Sequence, residues 1–312
     1  MKDREKLIVR ASWVSIGGNA LLSVLKIVIG FLAGSLAVVA DGVDSAGDII
    51  ASVLTLVTAF VVTRPPNLRF AYGYERADTI ASKVLSFIVF FAGAQLAIST
   101  IHRLTEGVSR DIPSMFAIYV TVFSITGKSF LAWYQWKVGR KTGSLMLQAN
   151  GRNMLGDVVI SLAVLTGLFF TFILKMPVLD TITALLVSVW IMYVGFKIFR
   201  ESSLELMDGL KDEDIYDRIF SAISKVDGAQ NPHRARVRKI GHQYIVAVDI
   251  EVDGDISVNS AHCVAHKVEE EIRAELVDVY DVMVHTEPVG DDATAEKFGI
   301  SRENLQKLKK KK

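Results

Sequence analysis

Apolar stretches of membrane-spanning length recur through the first two thirds of this 312-residue chain and stop near residue 200. They run from about Leu7 to Leu32, Leu36 to Val62, Thr79 to Leu104, Pro113 to Trp136, Ser144 to Leu174 and Val178 to Phe199. Hydrocarbon offers no partner to a backbone N–H or C=O, so such stretches must close their hydrogen bonds within themselves, as helices. Residues 1–209 are therefore expected to form an all-α six-helix transmembrane bundle. The breaks agree: Ala33, Gly34 and Ser35 make a small uncharged turn, and Arg64, Pro65 and Pro66 end the second span. The N-terminus has charge but no short apolar core with a cleavage site, so the first span is expected to stay.

Orientation follows from the basic residues beside the spans. Lys2, Arg4, Lys6 and Arg10 precede the first; Arg64, Arg69 and Arg76 lie between the second and third; Lys137, Arg140 and Lys141 follow the fourth. The opposite connections hold only Arg103, Arg110 and Lys175. The expectation is a multi-pass protein of the cell (inner) membrane with both termini cytoplasmic. A net charge of +1, with no basic run interleaved with aromatics, argues against nucleic acid. One cysteine, Cys263, excludes an intrachain disulfide.

Beyond residue 209 the pattern becomes that of a small α+β domain over residues 210–290. Asp212–Val226 reads as a helix, His233–Lys239 and Tyr244–Val252 as strands, Val258–Leu276 as a helix and Asp281–Glu287 as a strand, giving αββαβ. Two helices should cover one face of a small sheet. Residues 291–312, ending in a run of lysines, are expected to be a charged flexible tail.

Carboxylates inside the apolar spans are the chemical clue. A carboxylate in hydrocarbon costs about 2.5–3.5 kcal/mol on insertion scales, so several imply a partner or a wet cavity. Asp44 and Asp48 lie four residues apart in the second span, as Asn153 and Asp157 do in the fifth, so each pair shares one helix face. If the two helices touch, four oxygen ligands meet. Three carboxylates at one point repel, so an empty site should keep at least one proton. A divalent cation must displace it, and cation–proton exchange follows. Asp41, on a neighbouring part of the face, either supports a ligand from behind, lies toward the outer mouth, or simply ends a helix. Asn19 lines the cavity or bonds a neighbouring helix. Gly17, Gly18, Gly30, Gly34 and Gly93 allow close helix approach. Gly127, Lys128 and Ser129 mimic the end of a phosphate loop, but Val122 stands where its first glycine belongs, so Lys128 should pair with a carboxylate or reach the interface. No hydrolase, zinc-protease or dinucleotide signature occurs, and no enzyme is expected.

With Val39–Asp48, Ala149–Val158 and Leu206–Gly209 in this order, the chain resembles the cation diffusion facilitator (cation efflux) family over nearly its whole length. The resemblance implies a homodimer in the lipid bilayer that exports divalent metal from the cytoplasm against protons by alternating access. Its transport site would be Asp44, Asp48, Asn153 and Asp157. Zinc-handling members often place His where this chain has Asn153. An all-oxygen set favours harder ions, so Mn²⁺ leads, with Fe²⁺, Zn²⁺, Co²⁺ and Cd²⁺ possible and no other cofactor. The loop that carries an accessory His-rich site in some members reads Phe70–Tyr74 here, and no metal is expected there. Arg76 and Asp208 resemble an interlocking charge pair at the dimer contact.

Five of six histidines fall in the C-terminal domain: His233, His242, His262, His266 and His285. By resemblance, His233, Asp249, His262, His285 and Glu287 occupy positions of a cytoplasmic metal site, and a His–carboxylate set suits zinc and other transition metals. Two rival readings remain open: a zinc or iron exporter of the same build, and a membrane-embedded metal sensor or scaffold without transport.

Overall fold

Six long helices occupy the apolar stretches: α1 (Lys2–Leu32), α2 (Leu36–Val62), α3 (Arg76–Thr105), α4 (Phe116–Thr142), α5 (Leu145–Leu174) and α6 (Val178–Leu206). All six are long and apolar enough to cross a membrane. The structure, a computed structural model, describes residues 2–105, 111–241, 243–290 and 299–309. The chain divides into two units, residues 1–63 with 80–200 and residues 64–79 with 201–312.

Several helices run beyond their hydropathy limits, although α4 begins at Phe116, after the expected Pro113. α1 starts before Leu7, α4 runs past Trp136 and α6 past Phe199. Hydropathy marks where side chains leave hydrocarbon, whereas the backbone ladder continues through Lys, Arg and Glu, which are good helix formers. Side chains set several ends. Ser35 and Ser144 accept from the amides of Val38 and Leu147 as N-caps of α2 and α5. Gly143 closes α4 in the left-handed region at φ 66°. Asp180 of α6, 3% exposed, accepts from the Ser35 hydroxyl and the Leu36 amide, tying α6 to the start of α2.

In the first unit α1 packs on α2 and α4, and α5 packs on α4 and α2. α3 and α6 cross closely: a Cβ at Gly195 would lie 2.7 Å from the Phe90 amide nitrogen, so only glycine permits that approach. Ala37, Val38, Val89, Val164, Leu168 and Ile191 form part of the buried core.

The second unit carries α7 (Ile215–Ile223), β1 (Gln230–Ile240), β2 (Gln243–Val252), α8 (Val258–Glu275), β3 (Val279–Pro288) and α9 (Arg302–Lys309). The sheet order is β1-β2-β3, with β1 and β2 antiparallel and β2 and β3 parallel across the α8 connection. Strand alternation gives two faces. Val246, Val248, Ile250 and Val252 turn toward Ile219 and Phe220 of α7 and Val268 and Ile272 of α8. Asp249, between two of those core residues, belongs to the opposite face.

The expected flexible tail is corrected over residues 299–309. Ile300 exchanges both backbone hydrogen bonds with Ala235 at the β1 edge, at 2.9 and 3.0 Å, and Leu305 of α9 is 6% exposed within the domain core. A short apolar pair flanked by lysines is enough to dock, because the β1 edge leaves backbone groups to be paired. The remainder of the predicted tail, residues 291–298 and 310–312, lies outside the described residues, as does His242.

Candidate metal sites in the bundle and the C-terminal domain

In the bundle, α2 and α5 touch, which brings the two predicted oxygen pairs into one neighbourhood. Asp44 and Asp48 both interact electrostatically with Asp157. Burial grades outward: Asp44 is partly buried, while Asp48 and Asn153 are exposed. At the inner end stands a residue that the ligand count did not include. Lys128 of α4, fully buried, places Nζ 3.0 Å from Asp157 Oδ2, whose side chain is 19% exposed. The expectation that Lys128 pairs with a carboxylate is met. Among the described residues, the one group of three His, Cys or acidic ligand atoms all within 4.8 Å of one another lies elsewhere, so the bundle carboxylates are neighbours without closing into a ligand triangle.

Asp41 does not join this cluster directly. It meets Lys26 of α1 at 2.7 Å through Oδ2, and the Ser161 hydroxyl of α5 lies 2.9–3.0 Å from its two carboxylate oxygens. Lys26 Nζ also donates to Ser161 at 2.9 Å, and all three are at most 1% exposed. A lysine in an apolar span carries the same energetic signal as an aspartate. Lys26 is therefore legible in the sequence as a charge within an apolar span. Asn19 Oδ1 is buried with no hydrogen-bond partner among the described residues.

In the C-terminal domain, register assembles the second candidate. His233 pairs with Asp249 across β1 and β2, Asp249 pairs with His285 across β2 and β3, and Glu287 follows two residues later on the same face. His233, Asp249 and Glu287 form the ligand group within 4.8 Å. Irregular pairing on either side of His233, with Asn231 and Arg234 at positive φ, bulges β1 and re-aims this stretch. The Asn231 carbonyl can only accept, so at 2.7 Å it fixes the proton on His233 Nδ1 and leaves Nε2 to face Glu287 Oε2 at 3.3 Å. That separation fits two ligands of one tetrahedral ion, whose metal–ligand bonds of about 2.0–2.2 Å put neighbouring donors about 3.4 Å apart. The set fits a transition metal, provided that Arg234, now 2.7 Å from Asp249 Oδ2, gives way.

His285 stands at the rim, 64% exposed and 3.3 Å from Glu287 Oε1. His262 and His266 meet edge-to-face on α8 with ring centroids 6.3 Å apart, both exposed, and neither enters the group of three. Arg76 does meet Asp208 in an ion pair within one chain, and its second nitrogen donates to the Leu206 carbonyl at 3.4 Å. The Phe70–Tyr74 stretch packs its two end rings 4.6 Å apart.

Comparisons with known proteins divide the chain between residues 207 and 211. The family described as "Cation efflux transmembrane domain" matches residues 12–207, and "Cation efflux protein, cytoplasmic domain" matches residues 211–289. The manganese efflux system protein MneP of Bacillus subtilis (strain 168) is 26% identical over 292 residues, covering 92% of this chain and 98% of that one. MneS of the same organism is 30% identical over 276 residues, covering 88% and 94%. Among solved structures, the metal-bound C-terminal domain of the CzcD transporter from Thermotoga maritima is 41% identical, covers 25% of this chain and 91% of that one, and gives a TM-score of 0.25.

Proposed function

The chain belongs to the cation efflux family of divalent-metal transporters, and from that premise we propose that it exports Mn²⁺ in exchange for protons through Asp44, Asp48, Asn153 and Asp157. The family fixes the broader class: a multi-pass membrane protein that moves metal cations and is not an enzyme. The finer reading is carried by one observation, the approach of Asp44 and Asp48 of α2 to Asp157 of α5 inside apolar helices. Ligand carboxylates must shed protons to hold a metal, so release on the far side returns protons to them. Manganese is favoured because the four ligands are oxygens and no imidazole is among them. The relatives MneP and MneS, both called manganese efflux proteins, point the same way. In this reading the protein is a homodimer with cytoplasmic termini, and His233, Asp249 and Glu287 take a regulatory metal, with His285 at the rim.

Reconstituted vesicles test it. Asp48→Ala and Asp157→Ala are each expected to abolish metal flux driven by a pH gradient while the purified protein stays folded. Wild-type flux in either variant overturns the site. A panel of Mn²⁺, Fe²⁺, Co²⁺, Zn²⁺ and Cd²⁺ ranks the ions. Preference for Zn²⁺ or Fe²⁺ would replace manganese, and saturable binding without flux would make the protein a sensor.

A further inference from the structure

We propose that Lys128 is a built-in cation of the transport site, a positioning residue whose ammonium holds Asp157 until a divalent metal takes its place. The inference deepens the proposed transport site and rests on it. Lys128 is fully buried, and its Nζ lies 3.0 Å from Asp157 Oδ2. It also acts electrostatically on Asp44 and Asp48. A lysine there has no interface to reach, so its partner is the acidic cluster itself. Formal charge gives the reason. Asp44, Asp48 and Asp157 together carry three negative charges when ionised. With the ammonium the cluster carries two, which one divalent ion balances.

Geometry makes the two cations compete for Asp157 Oδ2 while both remain beside the cluster. The carboxylate oxygens are neighbours that do not close into a ligand triangle, and one oxygen of Asp157 is already spent on the ammonium. Metal can claim that oxygen only if Nζ retreats, which the flexible four-carbon stem of lysine allows. A resident cation of this kind weakens metal binding and helps expel the ion, and an exporter needs release as much as capture.

The test is equilibrium Mn²⁺ binding to the full-length protein in detergent. A background carrying His233→Ala and Glu287→Gln ensures that only the membrane site is read. Lys128→Met is expected to bind Mn²⁺ about tenfold more tightly or better, as removal of a like charge within a few ångströms requires, and to transport it more slowly in vesicles. Lys128→Arg, which keeps the charge, should stay near the parent affinity and remains informative if the methionine variant fails to fold. A purely structural role predicts weaker binding in Lys128→Met. Unchanged or weaker binding there, or an arginine variant that tightens equally, overturns the proposal. Asp157→Asn in the same titration separates the two readings. Loss of binding upholds the transport site whatever Lys128 does, whereas parent-like binding removes the site and the lysine proposal with it.

Discussion

Lys26 and Asp41 lie 2.7 Å apart with almost no exposure, and Ser161 bonds to both. Removing one member of a buried pair leaves the other charge without compensation, which costs about 3–5 kcal/mol, although the pair itself contributes far less against an apolar replacement. Lys26→Met and Asp41→Asn should therefore each lower the thermal stability of the purified protein sharply. The double variant should be more stable than the additive expectation by about 0.5–3 kcal/mol. Additive losses in that cycle would show that the two side chains do not act as a unit. The same pair marks a limit of reading sequence for carboxylates. Asp41 was visible as an intramembrane acid, but its partner is 15 positions away on another helix, and nothing in local spacing names it. The Asp44–Asp48 and Asn153–Asp157 pairs were legible because helical period alone aligns each one. Lys128 was legible as a charge needing a carboxylate, but not as the partner of Asp157 in particular, since that depends on how α4 packs against α5.

At the scale of elements, apolar length determines where the six spans lie, because the bilayer imposes one thickness on all of them. The αββαβ order was legible for a similar reason, since alternation in β2 places Val246, Val248 and Ile250 on the core face and Asp249 opposite. The docked end of the chain was not. Among the described side chains of α9, Leu305 lies in the core, and the bridge at Ile300 is one residue long, so neither gives a periodic signal. Position does the work instead: Gly299, at φ 106°, passes so close to Arg234 that an added Cβ would lie 2.6 Å from its Cα. Leu305→Asp places a carboxylate in that core and is expected to release the segment. Amide hydrogen exchange should detect this as faster exchange at Ala235 and Ile300, whose two mutual bonds would open. Unchanged protection at both amides would mean that the bridge holds without α9.

Across the whole molecule, two acidic clusters each contain a basic side chain, Lys128 on Asp157 in one unit and Arg234 on Asp249 in the other. Their ligand chemistry differs. The bundle offers oxygen alone, and the C-terminal set adds the imidazole of His233 with its proton fixed on Nδ1. Under the proposed function the two ligand sets serve different tasks, passage for the first and sensing for the second, and the two should separate by mutation. His233→Ala with Glu287→Gln removes two of the three C-terminal ligands and leaves every bundle residue in place. If metal at that cluster favours the transporting state, its loss raises the Mn²⁺ concentration for half-maximal flux by about 5-fold or more, the lower range of coupling between distinct sites. Flux at saturating metal should still follow the pH gradient, because the oxygen ligands that the proposed function assigns to metal–proton exchange are intact. A concentration curve identical to wild type would deny the cluster a regulatory role. Complete loss of flux would make it part of the transport path, and the division of labour between the two ligand sets would fail.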